Sequence, residues 1–95
     1  MEYLAELKHA IRQVHGCEAT HVQTVPVKEV FLGQTVWEGD VEIFDVIGHA
    51  KAKRCYAWGY PPEGPNRRII AVLEIPPVDS PVTAVRAAIV AQAKK

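Results

Sequence analysis

Between residues 2 and 15, Leu4, Leu7, Ile11 and Val14 recur at spacings of three and four, with Tyr3 and Ala10 beside them. Such spacing lays one apolar stripe along a helix. Glu2 and Glu6 lie toward the positive end of its dipole and Lys8, Arg12 and His15 toward the negative end, and Gly16 follows where helices commonly stop. From Thr20 to Ile75 the period changes to valine, isoleucine, threonine and aromatics punctuated by glycine and proline, the composition of strands and hairpins. Four strands are predicted, at about 21 to 32, 34 to 46, 52 to 60 and 67 to 75, broken at Gly33, at Gly48-His49 and at Pro61-Pro62-Glu63-Gly64-Pro65-Asn66. Each break is short enough for a hairpin and too short for a parallel crossover, so the strands should form an antiparallel meander. Pro76-Pro77 ends the sheet, and Asp79-Ser80-Pro81 opens a second helix running to about Ala93, with Ser80 as N-cap and Pro81 at the first helical position.

Opposite residues of a meander share a face, so each hairpin centre predicts a set of pairs. Centring the first hairpin on Gly33 sets Lys28 against Glu38 and Val30 against Val36. A second centre at Gly48 sets Glu42 against Arg54, Asp40 against Tyr56 and Glu38 against Trp58. A third at Gly64 sets Arg54 against Glu74, Tyr56 against Val72, Trp58 against Ile70 and Tyr60 against Arg68. One face then carries Val25, Val27, Phe31, Trp37, Val41, Ile43, Cys55, Ala57, Ile69, Ala71, Leu73 and Ile75, and reads as the core. Two helices of about 10 Å diameter would cover four strands spaced about 4.8 Å apart, so both are expected on that face. The other face mixes charges, Lys28, Glu38, Asp40, Glu42, Arg54, Arg68 and Glu74, with Val36, Phe44, Tyr56, Trp58, Tyr60, Ile70 and Val72. The predicted fold is therefore α+β, in the order α-β-β-β-β-α, with an open and unusually aromatic second sheet face.

Composition narrows the class of molecule. Ninety-five residues, 48% hydrophobic and 23% charged, suit a single folded domain over 1–95 and exclude a disordered chain. Eleven basic residues balance eleven acidic ones, so no long-range positive field draws the chain to nucleic acid or an anionic membrane. No stretch has signal-peptide character or approaches the roughly 20 apolar residues needed to span a bilayer, and a cytoplasmic location is expected. In that compartment Cys17 and Cys55 are expected as free thiols.

The densest group of reactive side chains is His15-Gly16-Cys17-Glu18-Ala19-Thr20-His21. His15, Cys17 and His21 are weak metal candidates, because the run lacks the paired spacings of common zinc sites, and a helix-end turn is the preferred reading. Cys17 follows a helix C-terminus, where the dipole disfavours a thiolate, and Cys55 should point into the core, so neither reads as a nucleophile. Glu38, Asp40 and Glu42 read as a cross-strand charge ladder, and Pro62-Glu63-Gly64-Pro65 as a stiffened turn. Phosphate-cradling glycine loops and nucleophile elbows are missing from the sequence, and no cofactor is expected.

The constellation with most functional content is the stripe Tyr56, Trp58 and Tyr60 with Ile70 and Val72, rimmed by Arg54 and Arg68. Exposed apolar patches of this kind mark interaction surfaces. The second helix adds to this, since Arg86 is its one charged side chain between Asp79 and Lys94. Helices apolar over so much of their circumference are usually covered on more than one side. The leading expectation is a non-enzymatic interaction or homo-oligomerising domain that buries the stripe, or the outer side of the second helix, against itself or another protein. An alternative is nucleic-acid binding, with bases stacked on the rings and Arg54 and Arg68 on phosphates, opposed by the nearby carboxylates. A third is a small-ligand carrier or enzyme using a cavity between helices and sheet.

The helix-strands-helix order and Thr83-Ala84-Val85-Arg86-Ala87-Ala88 resemble the double-stranded-RNA-binding fold and its alanine-rich second helix. Here a fourth strand is added, and Ser80-Pro81-Val82 stands where that family carries lysines. The phrases His15-Gly-Cys-Glu-Ala-Thr-His21, Thr35-Val-Trp-Glu-Gly39, Arg54-Cys-Tyr-Ala-Trp58 and Leu73-Glu-Ile-Pro-Pro77 resemble a group of short uncharacterised bacterial proteins. That resemblance implies a bacterial origin and no particular activity.

Overall fold

A computed structural model describes residues 2–60 and 68–93. Helix α1 (Glu2–His15) is followed by strands β1 (Glu18–Phe31), β2 (Gln34–Ile47), β3 (Arg54–Tyr60) and β4 (Arg68–Leu73) and by helix α2 (Pro81–Ala93). The strands form one antiparallel sheet in the order β1-β2-β3-β4. The fold is thus the expected α+β meander between two helices. The loop at 61–66, with its Pro62-x-x-Pro65 pattern, and the side chain of Tyr60 lie outside the described residues.

Local chemistry sets the element ends. Gly16, at φ 70°, stops α1, and its N–H donates to Arg12 O at 2.9 Å, closing the last turn. At α2, Ser80 Oγ accepts from the Thr83 N–H at 3.2 Å while Thr83 Oγ1 accepts from the Ser80 N–H at 3.0 Å, a reciprocal cap on the free amides of the first turn. Between β1 and β2 the two central residues Leu32 (φ 53°) and Gly33 (φ 77°) are both left-handed, the geometry of a type I′ hairpin turn.

This two-residue turn corrects the first register near its tip. Phe31 faces Gln34 and Val30 faces Thr35 rather than Val36, because the turn is centred between Leu32 and Gly33. An irregularity at Val36 absorbs the difference, and from Glu29-Trp37 to Gln23-Ile43 the pairs are the expected ones, Lys28 against Glu38 among them; past the extra residue Val22 they are displaced by one, with His21 facing Phe44. The β3–β4 pairs Tyr56-Val72, Trp58-Ile70 and Tyr60-Arg68 also stand as expected.

The β2–β3 register is corrected by three residues. Glu42 faces Ala57, Ile43 faces Tyr56, Phe44 faces Cys55 and Asp45 faces Arg54. The connection 48–53 is longer than a turn centred on Gly48 and is held from within: His49 Nδ1 accepts from the amides of Lys51 (3.1 Å) and Ala52 (2.9 Å). An odd shift exchanges faces. Tyr56, Trp58, Ile70 and Val72 therefore join Val25, Val27, Trp37, Val41 and Ile43, and Cys55, Ala57, Ile69, Ala71 and Leu73 join Phe44 and Val46.

Both faces of β3 and β4 become apolar, and each takes one helix. Val82, Ala84, Val85, Ala88 and Ile89 of α2 cover the tryptophan face, with Val78 beside them. Tyr3, Leu4, Leu7 and Ile11 of α1 cover the opposite, small-residue face. The expectation of two helices on one face is thereby overturned. Pairing of β2 with β3 stops at Glu42-Ala57, and beyond it the Gly59 N–H donates to Tyr3 Oη of α1 at 3.0 Å.

Candidate functional site

Tyr56, Trp58, Ile70 and Val72 of the stripe proposed from sequence assemble, but beneath α2. Tyr56 and Trp58 are each 2% exposed, and Ile70 and Val72 pack half-buried against the same cluster. Trp58 lies against Trp37, ring centroids 5.8 Å apart and tilted by 59°. The Tyr56 hydroxyl donates to Glu74, and burial together with that bond pushes its pKa up. Arg54 lies at the start of β3, its Nε 3.3 Å from Asp45 Oδ1 rather than against Glu42, and Arg68 is exposed at the start of β4. Among the described side chains the two rings, Tyr56 and Trp58, are covered by α2 and do not form an open face rimmed by Arg54 and Arg68.

The histidine-cysteine run is also dispersed. His15 Nε2 is 3.0 Å from Ala71 O, Cys17 is buried under α1, and His21 points to Glu42. Among the described residues no three metal-ligating side chains come together. Burial, and then the charge of Glu18, raises the pKa of Cys17, and burial pushes the Cys55 thiol up to about 12. Both thiols are held away from the reactive thiolate form.

One polar group missed in the sequence reading is His21, Thr24 and Glu42. Val22 is an extra residue in β1, so His21 and Thr24, three apart, fall on one face, where period two would have separated them. Glu42 is 6% exposed and its Oε1 accepts from His21 Nε2 at 2.8 Å and from the Thr24 hydroxyl. The His21 ring also meets Phe44 edge-on, centroids 5.4 Å apart. Two donors satisfy the buried carboxylate and tie β1 to β2, as such a group requires. The Thr24-Glu42 pair was implied by the first register, but the bulge that brings in His21 has no mark in the alternation.

Open apolar side chains occur at the tip of the β1–β2 hairpin, where Val30, Phe31, Leu32 and Val36 are exposed, and on the outer side of α2. Ala87, Val90 and Ala91 are exposed, Val90 by 53%, and with Pro77, Val78, Thr83 and Arg86 they border a shallow depression of about 520 Å³. Arg86, the charged side chain of this helix, is drawn to Glu29 of β1, Nε to Oε2 2.8 Å. The helix is thus apolar inward and, apart from Thr83 and the paired Arg86, apolar outward. Among the described residues no helix is long and apolar enough to cross a membrane.

No protein-family model matches the chain, and no curated protein or solved structure matches it significantly.

Proposed function

We propose that this chain is an interaction domain that pairs with a second copy of itself through the outer side of α2. The observation that carries the reading is the double-sided helix: Val82, Val85 and Ile89 already bury one side, yet Ala87, Val90 and Ala91 present a second apolar side around the 520 Å³ depression. A helix needs one apolar side to dock on its own sheet, and a second usually has a cover. The balance of eleven basic and eleven acidic residues removes the net repulsion that would keep two copies apart at neutral pH. The two buried thiols suit the reducing cytoplasm, the compartment this reading assigns.

The 13 residues of α2 make a helix about 20 Å long, and one such helix face covers less than the ~800 Å² per partner of a standard interface. The dimer is accordingly a weak, concentration-dependent one. Light scattering over a wide dilution range, in reducing buffer, tests it. The parent should pass from dimer to monomer on dilution, and Val90→Glu should stay monomeric with an unchanged melting temperature. A parent that remains monomeric at roughly 1 mM, where even interactions of about −4 kcal/mol populate a complex, would overturn self-pairing.

A further inference from the structure

The β1–β2 hairpin runs on past the core. Val27 and Trp37 are its outermost side chains buried in the cluster under α2, and beyond them Val30, Phe31, Leu32 and Val36 are exposed, Phe31 by 65%. The alternation set Phe31 on the core face, but at the tip it lies outside the core cluster. Leu32 stands at φ 53°, in a turn position that favours Asn, Asp or Gly, with its side chain almost wholly in solvent. Folding gains almost nothing from a leucine there and loses by its backbone strain, so the reason for the side chain lies outside its own chain.

We propose that the hairpin tip of each copy seats in the depression on α2 of the other, an inference that rests on the self-pairing through α2 and names its second half. The shapes suit each other: the tip is convex, and Ala87 and Ala91, four apart on one track of the helix, leave room for the large side chains of Phe31 and Leu32. The placement suits a two-fold pair. Arg86 borders the depression and is held by Glu29, beside Val30, so tip and depression lie on either side of that ion pair. A two-fold axis running between two such surfaces brings each onto its counterpart. The area also suits. A side chain of this kind removes about 60–120 Å² from water when fully buried, so the four at the tip, at their present exposures, offer roughly 150–300 Å² per copy. Each copy gives both a tip and a depression, which brings the contact closer to the ~800 Å² per partner that the face of α2 alone does not reach. A bilayer is the poorer occupant, because around the tip Lys28 stands against Glu29 and Glu38 and supplies no net positive charge for anionic lipid.

The test places a nitroxide on the exposed position 34, beside the tip, as Gln34→Cys in an unlabelled copy, the native thiols being buried, and mixes it with ¹⁵N-labelled parent at roughly 1 mM. Broadening seen by NMR then arises between copies alone. The amides of Ala87, Val90 and Ala91 should broaden. With Leu32→Asn in both copies the broadening should fade and the dimer dissociation constant rise at least about tenfold, the worth of one buried leucine, even though the variant's own fold is firmer. A parent that is dimeric by light scattering while these amides stay sharp, or broadening that Leu32→Asn leaves unchanged, would overturn the seat and leave the pairing through α2 standing. A parent that stays monomeric removes both. Binding of the parent to phosphatidylcholine vesicles that Leu32→Asn abolishes, with the α2 amides sharp, would give the tip to a bilayer and also overturn the proposal.

Discussion

Replacing Trp58 by alanine separates the two places a strand aromatic can occupy, on an open sheet face or beneath a helix. Trp58 is 2% exposed, packed against Trp37 and in one cluster with Val85 of α2. A buried aromatic removes about 150–250 Å² from water, worth about 4–6 kcal/mol at 25 cal/mol per Å². Alanine keeps a small part of that, and large-to-small changes at such sites cost about 3–5 kcal/mol. A domain of this size holds only about 5–14 kcal/mol in all, so the substitution should remove a large fraction of its stability. Urea unfolding followed by far-UV circular dichroism is the assay. With a slope of about 1–2 kcal/mol per M, the midpoint should fall by roughly 1.5–5 M. On an open face the same change would cost within about 0.5 kcal/mol. A loss of stability below about 1 kcal/mol would therefore refute the placement of α2 over the tryptophan face.

Leu32 occupies the first left-handed position of the β1–β2 turn and is 86% exposed, so its side chain gains little burial to offset the strain of its backbone. Leu32→Asn, which makes the favoured Asn-Gly turn, should stabilise by about 1 kcal/mol and raise the melting temperature by roughly 4–8 °C; an unchanged or lower melting point would contradict the turn. Alkaline pH should destabilise the fold. The folded Cys55 thiol keeps its proton up to about pH 12, whereas its ordinary value is 9.0, so stability is intact below pH 9 and falls between 9 and 12 by at most about 1.4 kcal/mol per pH unit. Tyr56, raised from its ordinary value of 10.0, adds to the loss at higher pH. In reducing buffer, Cys55→Ala should fall less steeply than the parent between pH 9 and 10.5, and equal slopes would count against a buried thiol. His21→Ala leaves the carboxylate of Glu42 short of a donor and should cost about 1–3 kcal/mol in urea unfolding; a loss under about 0.5 kcal/mol would mean that the carboxylate is satisfied without it.

The element order and most element ends were written locally. The apolar stripe and Gly16 define α1, Ser80-Pro81 defines the start of α2, and the alternation in each hairpin sets Lys28 against Glu38 and Trp58 against Ile70, because these depend on residues a few positions apart. The join between the two hairpins was not local. It rests on the length of the 48–53 connection and on His49 accepting from the backbone of Lys51 and Ala52, a loop geometry that leaves no periodic trace. Because side chains alternate with period two, the three-residue shift moved Tyr56 and Trp58 from an expected surface into the core and divided the helices between opposite faces. The double-sided character of α2 could be read from its composition. Which side is free, and that Phe31, which the alternation set on the core face, stands exposed at the hairpin tip, follows from tertiary packing, since it depends on how closely residues distant in the chain can approach.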